Sequence, residues 1–486
     1  MHILLINPPD ELDAMFGVGK GLIKKYEPLG LLYIAAVARD AGHRVSVVDA
    51  HAQELTGEQI KRIIESIRPE VVGFSTLTCS GALVHDLGKW IRTTLPMTKV
   101  VLGNVHASIF ADAYLANGCC DVVVHGEGEF TFLRLLECFE TRSDLSTIQS
   151  ISYFDNTTGV PKTTSSSAVV SDLSKLPYPA RDLVDQKFYK MSSLSNQNYI
   201  SKKGETAKTI VTSRGCPFRC SFCVVHGNQK PRFNSIERVV DEMECLQNEY
   251  NTSFVYIQDP LFMGSVKRVI AICEEITRRG LTIKWGCDAR VDHMSRELIE
   301  AMDRANCYEL SLGIESATQR HLDAVEKKTT PAKVREAITL IRQYSDIRIE
   351  GLFILGFDTE TYQEALDTIQ FSLDIGIDMA QFSIMTPYPG SALFEKLSAA
   401  GAIDTGVRLD GTIDPTIWKR YSSYIIFTQN EPIWVTPSLG VDNLRKLQKK
   451  AVRSFYFRPK QFIQALGRIR PNNFIESTQI ALRGFF

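Results

Sequence analysis

The sequence predicts an α/β protein with an N-terminal Rossmann-like domain over residues 1–140 and a linker with a β-hairpin over 141–206. A partial (β/α)6 barrel over 207–400 and a mainly helical C-terminal segment over 401–486 follow. Three observations predict this. Short β-branched runs alternate with helical periods up to about residue 135, as expected of parallel strands joined by crossover helices. The same alternation resumes from about 207 to 400. Between the two, the composition shifts toward Ser, Thr, Asn and Pro, which marks a boundary.

In the first alternation, HILLIN (2–7), RVSVVD (44–49), VVGFST (71–76), KVVLG (99–103) and DVVVHG (121–126) read as strands. LGLLYIAAVARDAG (29–42), GEQIKRIIESI (57–67) and GALVHDLGKWIRTTL (81–95) carry helical periods, and Gly42 suits a C-cap. In such sheets ligands lie beyond the carboxyl ends of the strands. There the chain offers Ser75, Thr76 and Thr78 after the third strand, and Gly103, Asn104, Val105 and His106 after the fourth. Gly126, Glu127, Gly128 and Glu129 follow the fifth. Glycines let backbone approach a bulky ligand closely, and hydroxyls can hydrogen-bond it. A dinucleotide fold would carry G-x-G-x-x-G after its first strand. Here a long loop from Asn7 to Gly30 takes that place and contains Pro8, Pro9 and the stretch EPLG with Pro28 and Gly30. NAD is therefore excluded, and a larger ligand lying flat on the end of the sheet is expected.

ISYFDNTTGVPKTT (151–164) is patterned as a hairpin around Asn156 to Gly159, and LPYPARDL (176–183) as a proline-stiffened connector. The second alternation runs through KTIVTS (208–213), FVYIQD (254–259), TIKWGCDAR (282–290), YELSLGIES (308–316), RIEGLFILGF (348–357) and AQFSIMTP (380–387). Helical stretches such as SIERVVDEMECLQNEY and SVKRVIAICEEITRRG separate these strands. Six such units fit a three-quarter barrel better than a closed barrel of eight, with active groups at the C-terminal ends of the strands.

Composition narrows the function classes. The 486 residues are 44% hydrophobic and 23% charged, enough for several buried cores. A formal charge of -1 gives no global attraction to nucleic acid or anionic membrane. No run of 18 apolar residues is present to span a bilayer, and the start MHILLINPPD lacks a signal peptide's basic region, so a cytoplasmic protein is expected. Eleven cysteines in that setting read as thiols or metal ligands rather than a disulfide framework.

Cys216, Cys220 and Cys223 stand apart. TSRGCPFRCSFC (212–223) places them in a C-x3-C-x2-C pattern directly after the first barrel strand. Three closely spaced thiolates can hold three irons of a 4Fe-4S cluster and leave the fourth open. With His226 as a fourth ligand the trio would form a zinc knuckle, a weaker reading because structural zinc explains neither the barrel nor the domain before it.

This pattern, on this barrel and behind this N-terminal domain, resembles the radical S-adenosylmethionine (SAM) enzymes with a cobalamin-binding domain. That branch includes the anaerobic magnesium-protoporphyrin monomethyl ester cyclase and the hopanoid methyltransferases. The resemblance covers roughly residues 1–460. It implies a cobalamin-binding domain at 1–140 and a radical SAM partial TIM barrel at 207–400, with a 4Fe-4S cluster, SAM and cobalamin as cofactors. It also implies that Cys216, Cys220 and Cys223 ligate the cluster, whose open iron would chelate SAM.

By the same resemblance Asp259, Arg290, Glu315, Ser316 and the strand from Gly351 to Gly356 cradle SAM. A planar guanidinium pairs well with a carboxylate, which gives Arg290 a rationale of its own. The cobalamin loops would be Pro28 and Gly30; Ser75, Thr76 and Thr78; Gly103, Asn104 and His106; and Gly126, Glu127 and Gly128. Asn104 stands where the usual loop has its second glycine, a change that bears on how closely the loop meets the corrin. His51 in DAHAQE follows the second strand and has Glu54 where a cobalt-ligating signature has glycine, so it is read as a surface histidine.

Within 441–486 ten Lys and Arg face two acids, a charge of +8, punctuated by Phe455, Tyr456, Phe457, Phe462, Phe474, Phe485 and Phe486. A solvated helix over the barrel mouth is the leading reading, and peripheral membrane contact near a lipid-like substrate the second. The expected function is methyl transfer to an unactivated carbon through a 5'-deoxyadenosyl radical, with methylcobalamin as donor. A cyclase without methyl transfer is the alternative, and a non-catalytic corrinoid or metal-binding module the alternative of another class. The expected partners are a small-molecule or lipid-like substrate and an external electron donor such as flavodoxin or ferredoxin, with no nucleic acid.

Overall fold

The computed structural model describes residues 1–9, 25–165, 169–189, 206–225, 230–408, 411–428 and 430–459. Its first layer is built from β1 (His2–Asn7), α1 (Leu29–Asp40), β2 (Arg44–Asp49), α2 (Gly57–Ile67), β3 (Val71–Ser75) and α3 (Gly81–Thr94). It continues through β4 (Lys99–Gly103), α4 (Val105–Ile109), α5 (Ala111–Ala116), β5 (Val122–Val124) and α6 (Glu129–Thr141). The period of two along β1 sends Leu4 and Ile6 into the core shared with Ile60, Ile64 and Leu87, and Ile3 and Leu5 into the one shared with Ala35 and Leu135. Helices thus cover both faces. A capping box between Thr56 and Gln59 starts α2.

The parallel strands run in the order β2-β1-β3-β4-β5, the flavodoxin-like winding, which opens a crevice where the order reverses between β1 and β3. The hairpin expected in the linker is the edge of this same sheet. β6 (Ile151–Asp155) pairs antiparallel with β5, and β7 (Val160–Thr163) with β6. Buried Ile151 and Tyr153 join the core of Leu135 and Leu136, so this domain extends beyond residue 140.

The second layer begins with β8 (Thr206–Ile210), the two-residue strands β9 (Ser213–Arg214) and β10 (Arg232–Phe233), α7 (Ile236–Glu249), β11 (Thr252–Ile257), α8 (Val266–Arg278) and β12 (Lys284–Ala289). It proceeds through α9 (Arg296–Arg304), β13 (Cys307–Glu315), α10 (Gln319–Ala324), α11 (Pro331–Tyr344), β14 (Arg348–Leu355), α12 (Tyr362–Asp374) and β15 (Met379–Ile384). The strands pair in parallel in the order β8-β11-β12-β13-β14-β15, and among the described residues β8 and β15 do not pair, so the barrel stays open. Outward residues such as Trp285, Cys287, Leu310, Leu312 and Ile349 pack beneath the helices with Ile272, Met302 and Ile338.

After α13 (Ala392–Ala399), the chain reaches back to the first layer, where Trp418 packs on His106, Phe110 and Tyr114. The last described helix, α14 (Gly440–Tyr456), lies along β15 and α12 instead of across the barrel mouth. Its apolar face explains this, because Leu444, Leu447, Ala451 and Phe455 are buried in the barrel's outer core. Tyr456 donates a 2.9 Å hydrogen bond to the Ala380 carbonyl, so two of the aromatic residues considered for a membrane surface serve packing. Phe457 is exposed; Phe462, Phe474, Phe485 and Phe486 lie outside the described residues. No helix among the described residues is long and apolar enough to cross a membrane.

Candidate active site at the cysteine loop and the corrin crevice

The chain leaves β8 and turns through β9 into the loop carrying Cys216, Cys220 and Cys223. Asp259, just past β11, is 3% exposed and clamps the start of this turn. It accepts 2.6 Å hydrogen bonds from the Thr212 amide, the Thr212 hydroxyl and the Ser213 hydroxyl. Burial raises its pKa against the pull of these donors. Past β12, Arg290 lies 3.7 Å from the ring centre of Phe218, a residue of the cysteine loop itself. The same guanidinium donates to Asp292 Oδ2 at 2.6 Å and to the Lys327 carbonyl at 2.8 Å.

Glu315, at the end of β13 with φ +63°, pairs at 2.6 Å with Lys327 Nζ. Burial pushes the Cys220 thiol up, and Lys327 and Arg290 pull it back toward the thiolate. Burial likewise raises Cys223. Ser316 accepts from the Thr318 amide at 3.1 Å and lies 3.3 Å from His321 Nδ1. Gly351 leaves no room for a side chain, since an added Cβ would stand 2.7 Å from Ile377. Gly356 turns at φ +87° against Leu444.

The thiols of Cys216, Cys220 and Cys223 lie within electrostatic reach of one another on this loop. Among the described residues no three His, Cys, Asp or Glu side chains converge as ligands of one metal ion. Three thiolates carried on one loop suit a cluster, where each can meet a different iron. His226, the fourth ligand of the zinc reading, lies outside the described residues.

At the crevice the loops after β3, β4 and β5 leave open space. A Cβ added to Gly103 or Gly126 would meet nothing within 4 Å. The Thr76 hydroxyl is buried with no hydrogen-bond partner among the described residues, an acceptor and donor left for a ligand. Asn104 adopts φ +77°, the backbone role of the glycine it replaces. It caps α4 through Val105 N at 2.7 Å and donates to Ser75 Oγ at 3.1 Å.

His106 and Thr78 come together at 3.2 Å but are turned into the core, where His106 meets the Trp418 ring at 4.4 Å between centres. Burial lowers the His106 pKa to about 3, so the ring is neutral. Pro28 immediately precedes α1; Gly30 is exposed in its first turn. Gly128 packs near Ile34 and Val124.

The carboxylates of the fifth loop point at the other domain. Glu129 pairs with Arg214 at 2.5 Å, and Arg214 directly precedes Gly215 and Cys216. Glu127 pairs with Arg232 at 2.5 Å and stands 3.5 Å from Arg214. A second junction is fully buried. Glu27 pairs with Arg181 and, at 2.7 Å, with Lys208, while Arg181 also reaches Glu242 at 2.7 Å.

The family model of the B12 binding domain matches residues 23–136, and that of the Radical SAM superfamily matches residues 210–372. An uncharacterised methyltransferase of Pyrococcus horikoshii is 31% identical over 467 residues, spanning 96% of this chain and 94% of that protein. The chain belongs to the cobalamin-dependent radical SAM methyltransferases. An anaerobic magnesium-protoporphyrin IX monomethyl ester cyclase of Cereibacter sphaeroides is 29% identical, over 78% of this chain and 61% of that protein. The radical SAM methyltransferase TsrM of Kitasatospora setae, solved with cobalamin and a 4Fe-4S cluster, shares the fold with a TM-score of 0.67 at 17% identity, over 97% of this chain and 90% of that one. This radical SAM methyltransferase therefore takes a 4Fe-4S cluster, SAM and cobalamin as cofactors.

Several residues of this methyltransferase's site escaped the sequence reading. Lys327, Phe218, Arg214 and Arg232 take their roles from distant partners. Glu360 had a local signal, a carboxylate four residues beyond Gly356. It is fully buried, accepts from the Gly356 and Phe357 amides at 2.5 and 3.3 Å, and is pushed up to about 7 by burial.

Proposed function

We propose that this enzyme methylates an unactivated carbon of a small-molecule biosynthetic intermediate held between the corrin crevice and the cysteine loop. The observation that carries this reading is the pairing of Glu127 and Glu129 with Arg214 and Arg232, which sets the two cofactor loops side by side. When bound, the cluster with SAM supplies hydrogen abstraction and cobalamin supplies the methyl group. The chain's own task is placement, since a radical must meet one hydrogen and one methyl donor.

In this reading Cys216, Cys220 and Cys223 hold the cluster, with Asp259 and Arg290 fixing the backbone and Phe218 of their loop. Glu315, Ser316 and the turn at Gly356 line the SAM side, while Gly103, Asn104, Gly126 and Thr76 line the corrin side. The reading includes a reducing cytoplasm, in keeping with eleven cysteines that read as thiols or metal ligands, and an external one-electron donor such as flavodoxin or ferredoxin.

The test is anaerobic reconstitution with cobalamin, then mass spectrometry of products from SAM under reductant, beside a variant with Cys216, Cys220 and Cys223 all changed to Ala. Methyl transfer yields S-adenosylhomocysteine together with 5'-deoxyadenosine, and the variant yields neither. The relationship to the cyclases favours one second reading, ring formation without methyl transfer, which predicts 5'-deoxyadenosine alone. A cluster-loaded wild type that leaves SAM intact would overturn both.

A further inference from the structure

The inward faces of barrel strands are normally filled by Val, Ile and Leu. Here they carry a polar belt. The pairing register aligns Asp288 of β12 with Ser311 of β13, and Ser311 with Glu350 of β14. Tyr256 of β11 donates to Asp288 Oδ1 at 2.6 Å, and its hydroxyl oxygen lies 3.2 Å from Ser311 Oγ. Ser311 donates to Glu350 Oε2 at 3.0 Å, and Gln381 of β15 donates to Glu350 Oε1 at 2.9 Å. Tyr424, from the C-terminal segment, closes the row by donating to Gln381 Oε1 at 3.0 Å.

The belt borders open space. Asp288 is exposed although β12 is flanked by β11 and β13 and its alternate residues Trp285 and Cys287 are buried under helices. A strand so placed can show a side chain to solvent only on the barrel's interior. Gln381 is exposed on the same belt. The wall is completed from the corrin domain, whose Tyr26 stacks on Tyr256 with 6.3 Å between ring centres. The belt carries two carboxylates, while the neighbouring cations Lys284 and Arg348 gather on Tyr308, 4.8 and 5.7 Å from its ring centre.

We infer that this belt recognises the substrate, and that the substrate is a polar molecule presenting amine or hydroxyl donors to Asp288 and Gln381, not an apolar lipid or a tetrapyrrole. The inference rests on the methyl-transfer reading and extends its substrate site, between the corrin crevice and the cysteine loop, onto the barrel interior. An apolar ligand pressed against this row would strip water from carboxylate and amide groups without replacing its hydrogen bonds, a cost that discriminates strongly between ligand classes. A ligand with donors replaces them.

The test is saturation-transfer NMR on the holoenzyme with oxidised cluster, hydroxocobalamin and SAM. The probes are D-glucosamine, which carries an ammonium and hydroxyls, D-glucose with hydroxyls alone, and spermidine with ammonium groups alone; squalene, an apolar lipid, and protoporphyrin IX, a tetrapyrrole, are the comparators. At least one polar probe is expected to bind, and Asp288→Asn and Gln381→Leu are each expected to weaken it about tenfold, the loss of one charge-assisted or buried hydrogen bond. Which probe responds identifies the donor. The inference is overturned if no polar probe binds, if both variants bind as the wild type does, or if squalene or protoporphyrin IX binds the wild type more tightly than all three. The same preparation, reduced with dithionite to supply the electron that cleaves SAM, is assayed for 5'-deoxyadenosine. Its formation without polar-probe binding sinks this inference alone, and its absence sinks the reading beneath it.

Discussion

Asn104 occupies a positive-φ, extended backbone position that costs an L-residue roughly 1–3 kcal/mol, yet its side chain offsets part of that by capping α4 and holding Ser75. Asn104→Gly is therefore expected to fold normally and keep cobalamin binding, whereas Asn104→Ala keeps the backbone cost, loses the cap and falls by about 1–2 kcal/mol in urea unfolding. Glu360 gives a pH signature. Its carboxyl is raised from 4.5 to about 7 in the fold, so the folded state binds the proton more tightly than the unfolded chain. Its contribution is most favourable below pH 4.5 and is lost as pH rises through 7, by up to about 1.4 kcal/mol per pH unit in that window. Glu360→Gln, which still accepts from both amides, should flatten that part of the stability profile; an unchanged slope would show that another group produces it. The three cysteines were legible in the sequence because their spacing is local. Lys327, which pairs with Glu315 and helps hold Cys220 toward its thiolate, was not, because nothing in its neighbourhood announces a partner.

At the scale of elements, the loop after β5 and the loop after β8 behave as one unit. Arg214 joins them, and the GEGE carboxylates expected beside the corrin ring are occupied with Arg214 and Arg232. A double-mutant cycle between Arg214→Gln and Glu129→Gln should show a coupling of about 1–3 kcal/mol in denaturant unfolding, as partly buried contacting pairs do. The same variants should alter the electron paramagnetic resonance of the reduced cluster in a cobalamin-dependent way, and additive behaviour would show that the loops are independent. Strands and helices were legible to within a few residues because periods of two and 3.6 are written locally. The hairpin's place was not, because the pattern from Ile151 to Thr163 specifies two paired strands and leaves open which sheet edge they extend.

Across the whole molecule, the two layers are locked by the buried group of Glu27, Arg181, Lys208 and Glu242. Removing one member leaves an uncompensated charge, so Glu27→Ala is expected to cost about 3–5 kcal/mol and to split the unfolding curve into two transitions. A single transition at the wild-type midpoint would show that the layers are held by apolar packing instead. The sequence by itself determined the two α/β layers, the cysteine trio and the loops at the strand ends, since each is a matter of spacing along a short stretch of chain. Only the tertiary structure decided that EPLG supplies a domain lock, that GEGE grips the cysteine loop and that the barrel interior is lined by a polar belt. Those arrangements join residues as far apart as Glu27 and Lys208, 181 positions along the chain, and such pairs form only once both layers have folded.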